Sequence, residues 1–435
     1  VSTDPLSTPS QAVLDNAGKA RWVKLFSSAV IAQALLSAAN FIVGLMLIRH
    51  STDEDYGHYV LGFSALLLLT GIQSAYIGGP IAVLAPRQSA ERKQRMVATL
   101  YRQSTRWILL GALSLAVAFG LMGLAGLLTP LYAVMAVVYC ATAATALQRE
   151  YLRTALMIYE RPQSVLLADI AYVVILVAGA AAAALLTRPA APWMFAVMAA
   201  AALLAAIVAH RQLAANPGLS GEPLPEVWRD IAMLGAWSVA GCIIHWSFSQ
   251  GYNYVVAATL DLTAVAALNA TRLLLMPVNL LITGIKSLLL PMAARWHNQQ
   301  GLDAMLRRLM MFSAAVLFLT LIYYMALWLS REWLVAEVLK KQLLQRDPML
   351  LCWMAVFLLS GVRDLSMTAL LVREQFRLMS YLTAVAAVFA LSTCWLGIQL
   401  YGAVGAVGGL ILGESINLIG VFCLIQRERK LARNS

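Results

Sequence analysis

Arg149 and Glu150 stand side by side in REYLRTAL, residues 149–156, and Arg363 and Asp364 do so again in RDLSMTAL, residues 363–370. A guanidinium fork beside a carboxylate, deep in an apolar helix, suits recognition of a phosphate or pyrophosphate, whose oxygens meet the planar donors with charge assistance. On this reading Glu150 and Asp364 orient the two arginines. Arg153, Arg272 and Lys286 are further basic candidates, the last two on nearly the same face of one helix, and His245 is a titratable neighbour. A charge at the centre of a spanning helix costs roughly 3 kcal/mol on insertion scales, so each of these residues is a functional candidate by default. The plainer reading is that each snorkels to its nearer headgroup layer.

Two acids remain. Asp169 lies close to the start of its span and fits a structural partner for a basic residue better than a coupling group. Glu414, in LGESINL near the middle of the last span, is the better candidate for ion coupling, against the plainer role of a hydrogen bond with Ser or Asn neighbours. Gln33, Ser37 and Asn40 share a helical face, as do His245, Ser249 and Tyr252, and such stripes either line a lumen or lock helices together.

The rest of the inventory excludes chemistry of other kinds. Cys140, Cys242, Cys352, Cys394 and Cys423 all fall in apolar stretches without a CxxC or Cys/His cluster. No glycine loop for phosphates and no nucleophile, metal or acid–base motif stands out, so catalytic residues, a metal and a cofactor are not expected.

The elements that must position these groups are membrane helices. Hydrophobic residues make up 61% and charged residues 12% of 435 positions, with mean hydropathy +0.75. An ordinary soluble domain carries roughly 25% charge. Apolar runs long enough to cross the bilayer recur along the chain, and twelve are expected. The net charge of +11 collects in segments such as 87–106, which places both termini in the cytoplasm. Lys340, Lys341 and Arg346 run against that bias. Nucleic acid is not an expected partner.

The sequence is also duplicated. The two polar stripes recur at identical spacing, TGIQS at 70–74 matches TGIKS at 283–287, and Pro80 matches Pro291, both at positions where a kink is expected. Six helices per half make parallel repeats around a central cavity. The expected organisation is a disordered tail over 1–21, a six-helix bundle over 22–211, a linker over 212–228, a second bundle over 229–427 and a tail over 428–435.

Asn40, Phe41, Arg49, Glu54 and the Tyr-Gly-x-Tyr of Tyr56, Gly57 and Tyr59 carry a resemblance to bacterial polysaccharide exporters. These are the lipid-linked oligosaccharide flippases, of the Wzx type, in the multidrug/oligosaccharidyl-lipid/polysaccharide exporter (MOP) superfamily. The likeness spans residues 22–90 and 147–170. It implies twelve helices in two pseudo-symmetric bundles, alternating access, a bacterial inner membrane and transfer of an undecaprenyl-pyrophosphate-linked sugar for O-antigen or exopolysaccharide synthesis, alongside other polysaccharide-assembly membrane proteins. The second half departs from the pattern, reading AALNA at 266–270. The alternatives are a multidrug or organic-cation antiporter of the same superfamily, which should favour acidic or aromatic cavity groups, and a glycosyltransferase or polymerase, which should bring a larger outer loop.

Overall fold

Apolar runs bounded by Ser, Thr, Asp and Pro dictate helices, because in a bilayer every backbone donor must be satisfied within the segment. The computed structural model describes residues 11–186, 191–214, 219, 221–341 and 345–434, and every regular element among them is helical. α1 (Gln11–His50) leads to α2 (Asp53–Gln73), whose N-cap Thr52 accepts from the Asp55 amide and whose first turn holds Asp53, Glu54 and Asp55. Those acids complement the helix dipole. A π-helical turn, Ser74–Gly78, then joins α3 (Gly79–Leu84), and the first half is completed by α4 (Ala90–Leu124), α5 (Pro130–Ile158), α6 (Pro162–Leu186) and α7 (Ala191–Ala214). The second half contains α8 (Val227–Thr259), α9 (Leu262–Leu273), α10 (Met276–Leu329), the short α11 (Arg331–Trp333), α12 (Arg346–Val372) and α13 (Phe376–Asn434).

Among the described residues ten stretches are long and apolar enough to cross a membrane. Two of them are hairpins. α10 bends at Gly301 and α13 at Gly402, with φ of 80° and 59°, values that glycine adopts without a Cβ penalty. Across the first bend Trp296 stacks on Phe312 at 5.7 Å, and across the second Gly397 faces Gly405 and Ala390 faces Gly413. The ten stretches therefore supply twelve crossings, the expected number.

The crossings form two lobes. α1 packs on α6, α4 on α5 and α5 on α7 in the first; α8 packs on α13 and α12 on both α10 and α13 in the second. They meet along α2, α8 and α9. Gly57 explains the closeness of that seam at the end of the bundle far from the termini, because a Cβ there would lie 2.4 Å from the Leu262 carbonyl oxygen. At the same end Lys341 binds Asp53 and donates to the Ser51 carbonyl at 3.1 Å, bridging the lobes. Toward the termini, Ile31 and Gln33 of α1 and Leu280, Leu281 and Leu288 of α10 are exposed.

Two local expectations change. α1 begins at Gln11, so residues 11–21 extend the first helix instead of forming a disordered tail; QAVLDNAGKAR is rich in helix formers and holds one glycine. Residues 1–10 lie outside the described residues. The eighth crossing breaks between α9 and α10, with Pro277 in the first turn of α10, while Pro291 stays within helical dihedral angles. The connection between lobes is held down on α4: Arg102 donates to the Gly221 carbonyl at 2.5 Å, Thr99 accepts from the Leu224 amide at 2.9 Å, and the Trp228 indole donates to Gln103.

Candidate functional site

Arg272 occupies the last turn of α9, where the helix dipole favours a cation, immediately before the break. Its Nη1 donates to the Tyr252 hydroxyl at 3.0 Å, and its guanidinium carbon lies 5.6 Å from the Trp353 ring centroid. It has no carboxylate partner among the described residues, and its Nε is buried without an acceptor. Arg272 also lines two cavities at once. One, of about 140 Å³, lies between the lobes with Asn40, Tyr56, Tyr59, Ser64 and Gln250; the other, of about 110 Å³, lies in the second lobe with His245, Ser249, Ser360, Arg363 and Glu414.

Behind Arg272 a chain of buried amides crosses the lobe interface. The Tyr252 hydroxyl donates to Asn269 Oδ1 at 3.4 Å, Asn269 Nδ2 donates to Asn253 Oδ1 at 2.8 Å, and Asn253 Nδ2 reaches Ser64 Oγ of α2 at 3.4 Å. Trp246 Nε1 and the Tyr254 hydroxyl donate to the Ser64 and Leu61 carbonyls at 2.7 and 2.8 Å. Such a network is favourable because its members satisfy one another.

Arg363 is held differently. Its Nη1 is 2.7 Å from Glu414 Oε2, its Nη2 is 2.9 Å from Asp364 Oδ1, and Lys286 Nζ is 3.4 Å from Asp364 Oδ2. Two cations and two carboxylates therefore neutralise one another, in side chains no more than 36% exposed. In the first lobe Arg149 and Arg153 share Asp169 of α6, at 2.6 and 3.2 Å, and Arg149 stacks 4.0 Å above the Tyr172 ring. Glu150 does not orient Arg149 and has no ion pair among the described residues. Adjacent residues on a helix point about 100° apart, and Asp169 stands across from the arginine instead. Arg153 also lines a cavity of about 440 Å³ with Lys93, Thr154 and Glu160.

Solved structures share the fold. An inward-facing MATE multidrug-resistance transporter of the MOP superfamily aligns with a TM-score of 0.70 at 12% identity, over 94% of this chain and 99% of that one. The lipid II flippase MurJ, in an inward closed conformation, aligns with a TM-score of 0.75 at 10% identity, over 92% of this chain and 87% of that one. An outward-facing MATE transporter aligns at 0.65, with 12% identity over 95% and 96%. The chain has the MATE/MurJ fold. No protein-family model matches the sequence, and no curated protein does.

Within that MATE/MurJ fold the expected cationic residues fall into separate groups. Arg272 and Arg363 meet in one cavity and Lys286 joins through Asp364, whereas Arg149 and Arg153 form their own cluster. The second polar stripe, His245, Ser249 and Tyr252, lines the second-lobe cavity, and Asn40 of the first stripe lines the one between the lobes. Gln33 lies exposed on α1 and belongs to neither of these cavities, nor does Ser37. Asn253, Asn269 and Trp353 did not stand out in the sequence, because single amides and a tryptophan in apolar helices read as packing. Pro277 was the available signal for the break beside Arg272. Among the described residues no group of His, Cys, Asp and Glu could hold a metal.

Proposed function

We propose that the protein is a flippase that carries a polyprenyl-pyrophosphate-linked oligosaccharide from the cytoplasmic to the periplasmic leaflet of a bacterial inner membrane. The observation that carries this reading is Arg272, a cation without a carboxylate partner among the described residues, at the junction of two polar cavities. A pyrophosphate supplies the acceptors that its fork lacks. Sugars fit the Ser, Asn, Gln and His lining, and the polyprenyl tail passes between α1 and α10 at the termini end, where apolar faces are exposed. With both termini cytoplasmic, the Lys341–Asp53 bridge closes the periplasmic end.

A multidrug antiporter would present a free acid to an organic cation. Here Asp169 is held by Arg149 and Arg153, Glu414 is held by Arg363, and Glu150, without an ion pair among the described residues, lines neither cavity at Arg272. The MurJ and MATE likenesses are compatible with either cargo, and the held acids beside Arg272 support the anionic one.

The test is transfer of a fluorescent polyprenyl-pyrophosphate sugar between leaflets of vesicles holding the purified protein. Arg272→Gln is expected to abolish transfer at unchanged protein level, and Arg272→Lys to restore part of it. Transport of lipophilic cations with no transfer of the lipid-linked sugar would overturn the proposal.

A further inference from the structure

On the outer side of the first lobe, α4 and α7 both pack along α5 and leave a groove of about 360 Å³ between them. It shares no lining residue with the two cavities at Arg272. Its end toward the termini is polar and basic. The Tyr101 hydroxyl lies 3.2 Å from His210 Nδ1, and Arg211 beside them has no carboxylate partner among the described residues. About one helical turn deeper, roughly 5 Å, Thr105 donates to Gln148 Oε1 at 2.9 Å. Gln148 Nε2 is buried at that level without an acceptor. Farther in, the walls turn aliphatic and open outward: Leu109, Leu203 and Ile207 are 53%, 50% and 40% exposed.

A cation at the rim, then a donor without an acceptor, then an aliphatic trough is the order in which a glycerophospholipid presents phosphate, ester carbonyl and acyl chain. We propose that this groove holds one anionic phospholipid of the leaflet at the termini end. Its phosphate meets Arg211 and His210, an ester carbonyl accepts from Gln148 Nε2, and one acyl chain lies along Leu109, Ile207 and Leu203. A zwitterionic headgroup would set its own ammonium against Arg211, so the site selects net negative charge. The lipid bridges α4 and α7 and lies off the transport path.

The experiment places the full chain in nanodiscs of equal phosphatidylglycerol and phosphatidylethanolamine with matched acyl chains and reads retained lipid by native mass spectrometry. One phosphatidylglycerol per protein should survive activation that strips phosphatidylethanolamine. Arg211→Gln and Gln148→Leu should each lower its retention at least threefold. Leu203→Trp, which fills the trough, should lower it similarly, while Arg295→Gln, a cation elsewhere, should not. In the otherwise unaltered protein, a benzophenone amino acid at Ile207 should give an adduct of phosphatidylglycerol mass. Equal retention of both lipids, indifference to Arg211→Gln and Leu203→Trp, absence of the adduct, or a polyprenyl-linked adduct in its place would each overturn the proposal.

Discussion

Arg363 Nη1 lies 2.7 Å from Glu414 Oε2, a bond from α12 to the returning arm of α13. Arg149, its equivalent in the duplicated sequence, reaches instead to Asp169 of α6. The duplication thus keeps the cation and changes its anchor. The second-lobe cluster is balanced, with Arg363 and Lys286 against Asp364 and Glu414. The first-lobe cluster sets Arg149 and Arg153 against Asp169 alone.

Removing Arg363 should therefore cost stability before it costs anything else. Arg363→Gln leaves Glu414 buried without its cation, a loss on the order of 3–5 kcal/mol. Adding Glu414→Gln should recover most of the lost thermal midpoint, since Lys286 still holds Asp364. Unfolding of the purified variants followed by intrinsic fluorescence checks this, and a double variant no more stable than the single one would refute it.

Tyr252→Phe removes the hydroxyl that holds Arg272 in line between the cavities. A hydrogen bond to a charged group is worth about 1.5–3 kcal/mol, so affinity for the proposed lipid-linked sugar should fall by roughly ten- to a hundredfold. Arg272→Gln should do more damage. Titration of substrate into both purified variants separates them, and equal losses would make Tyr252 a direct contact instead of a support.

Gly57→Ile should keep the lobes apart at the far end, because the new Cβ would collide with Leu262 backbone. Cysteines placed at Asp53 and Lys341, whose side chains form the inter-lobe bridge there, should be joined by a short bifunctional maleimide in an otherwise cysteine-free protein. Adding Gly57→Ile should prevent the joining. Undiminished cross-linking would show that the seam tolerates the side chain.

Asp261 caps α9, accepting from the Ala264 amide at 2.7 Å and the Thr263 hydroxyl at 2.6 Å. The Thr263 hydroxyl first and the Ala264 amide second hold its carboxyl below the ordinary range. A depressed folded value means that the stabilisation is complete above the ordinary carboxylate pKa of about 3.9 and is lost as pH falls through the folded value. Asp261→Ala should thus cost about 1 kcal/mol at neutral pH and progressively less in acid. Thermal midpoints of both proteins across pH test this, and a difference that grows in acid would contradict it.

Much of the fold was legible because it rests on one strong signal, apolar length, repeated often enough to count. Hairpin bends followed from Gly301 and Gly402 only in retrospect; an isolated glycine in a helix has many uses. The candidate arginines were legible as charges in the wrong solvent. Their partners were not. Glu150 was the near acid by sequence, but helical geometry turns it away from Arg149, and Asp169 comes from a different crossing. Arg272 looked no different from Lys286 in the sequence. What separates them is that Asp364 of α12 reaches Lys286, while no carboxylate among the described residues reaches Arg272.

The break at Leu274–Leu275 makes the eighth crossing an elbow with two arms. The far arm, α9, is clamped to the first lobe through Leu262 and Gly57, while the near arm packs on α12. Arg272 rides on the clamped arm, one turn from the elbow. Arg272 also faces Trp353 of α12, so the cation stands on an arm that both lobes touch. One side chain at the elbow is thereby common to the polar space between the lobes and to the one inside the second lobe.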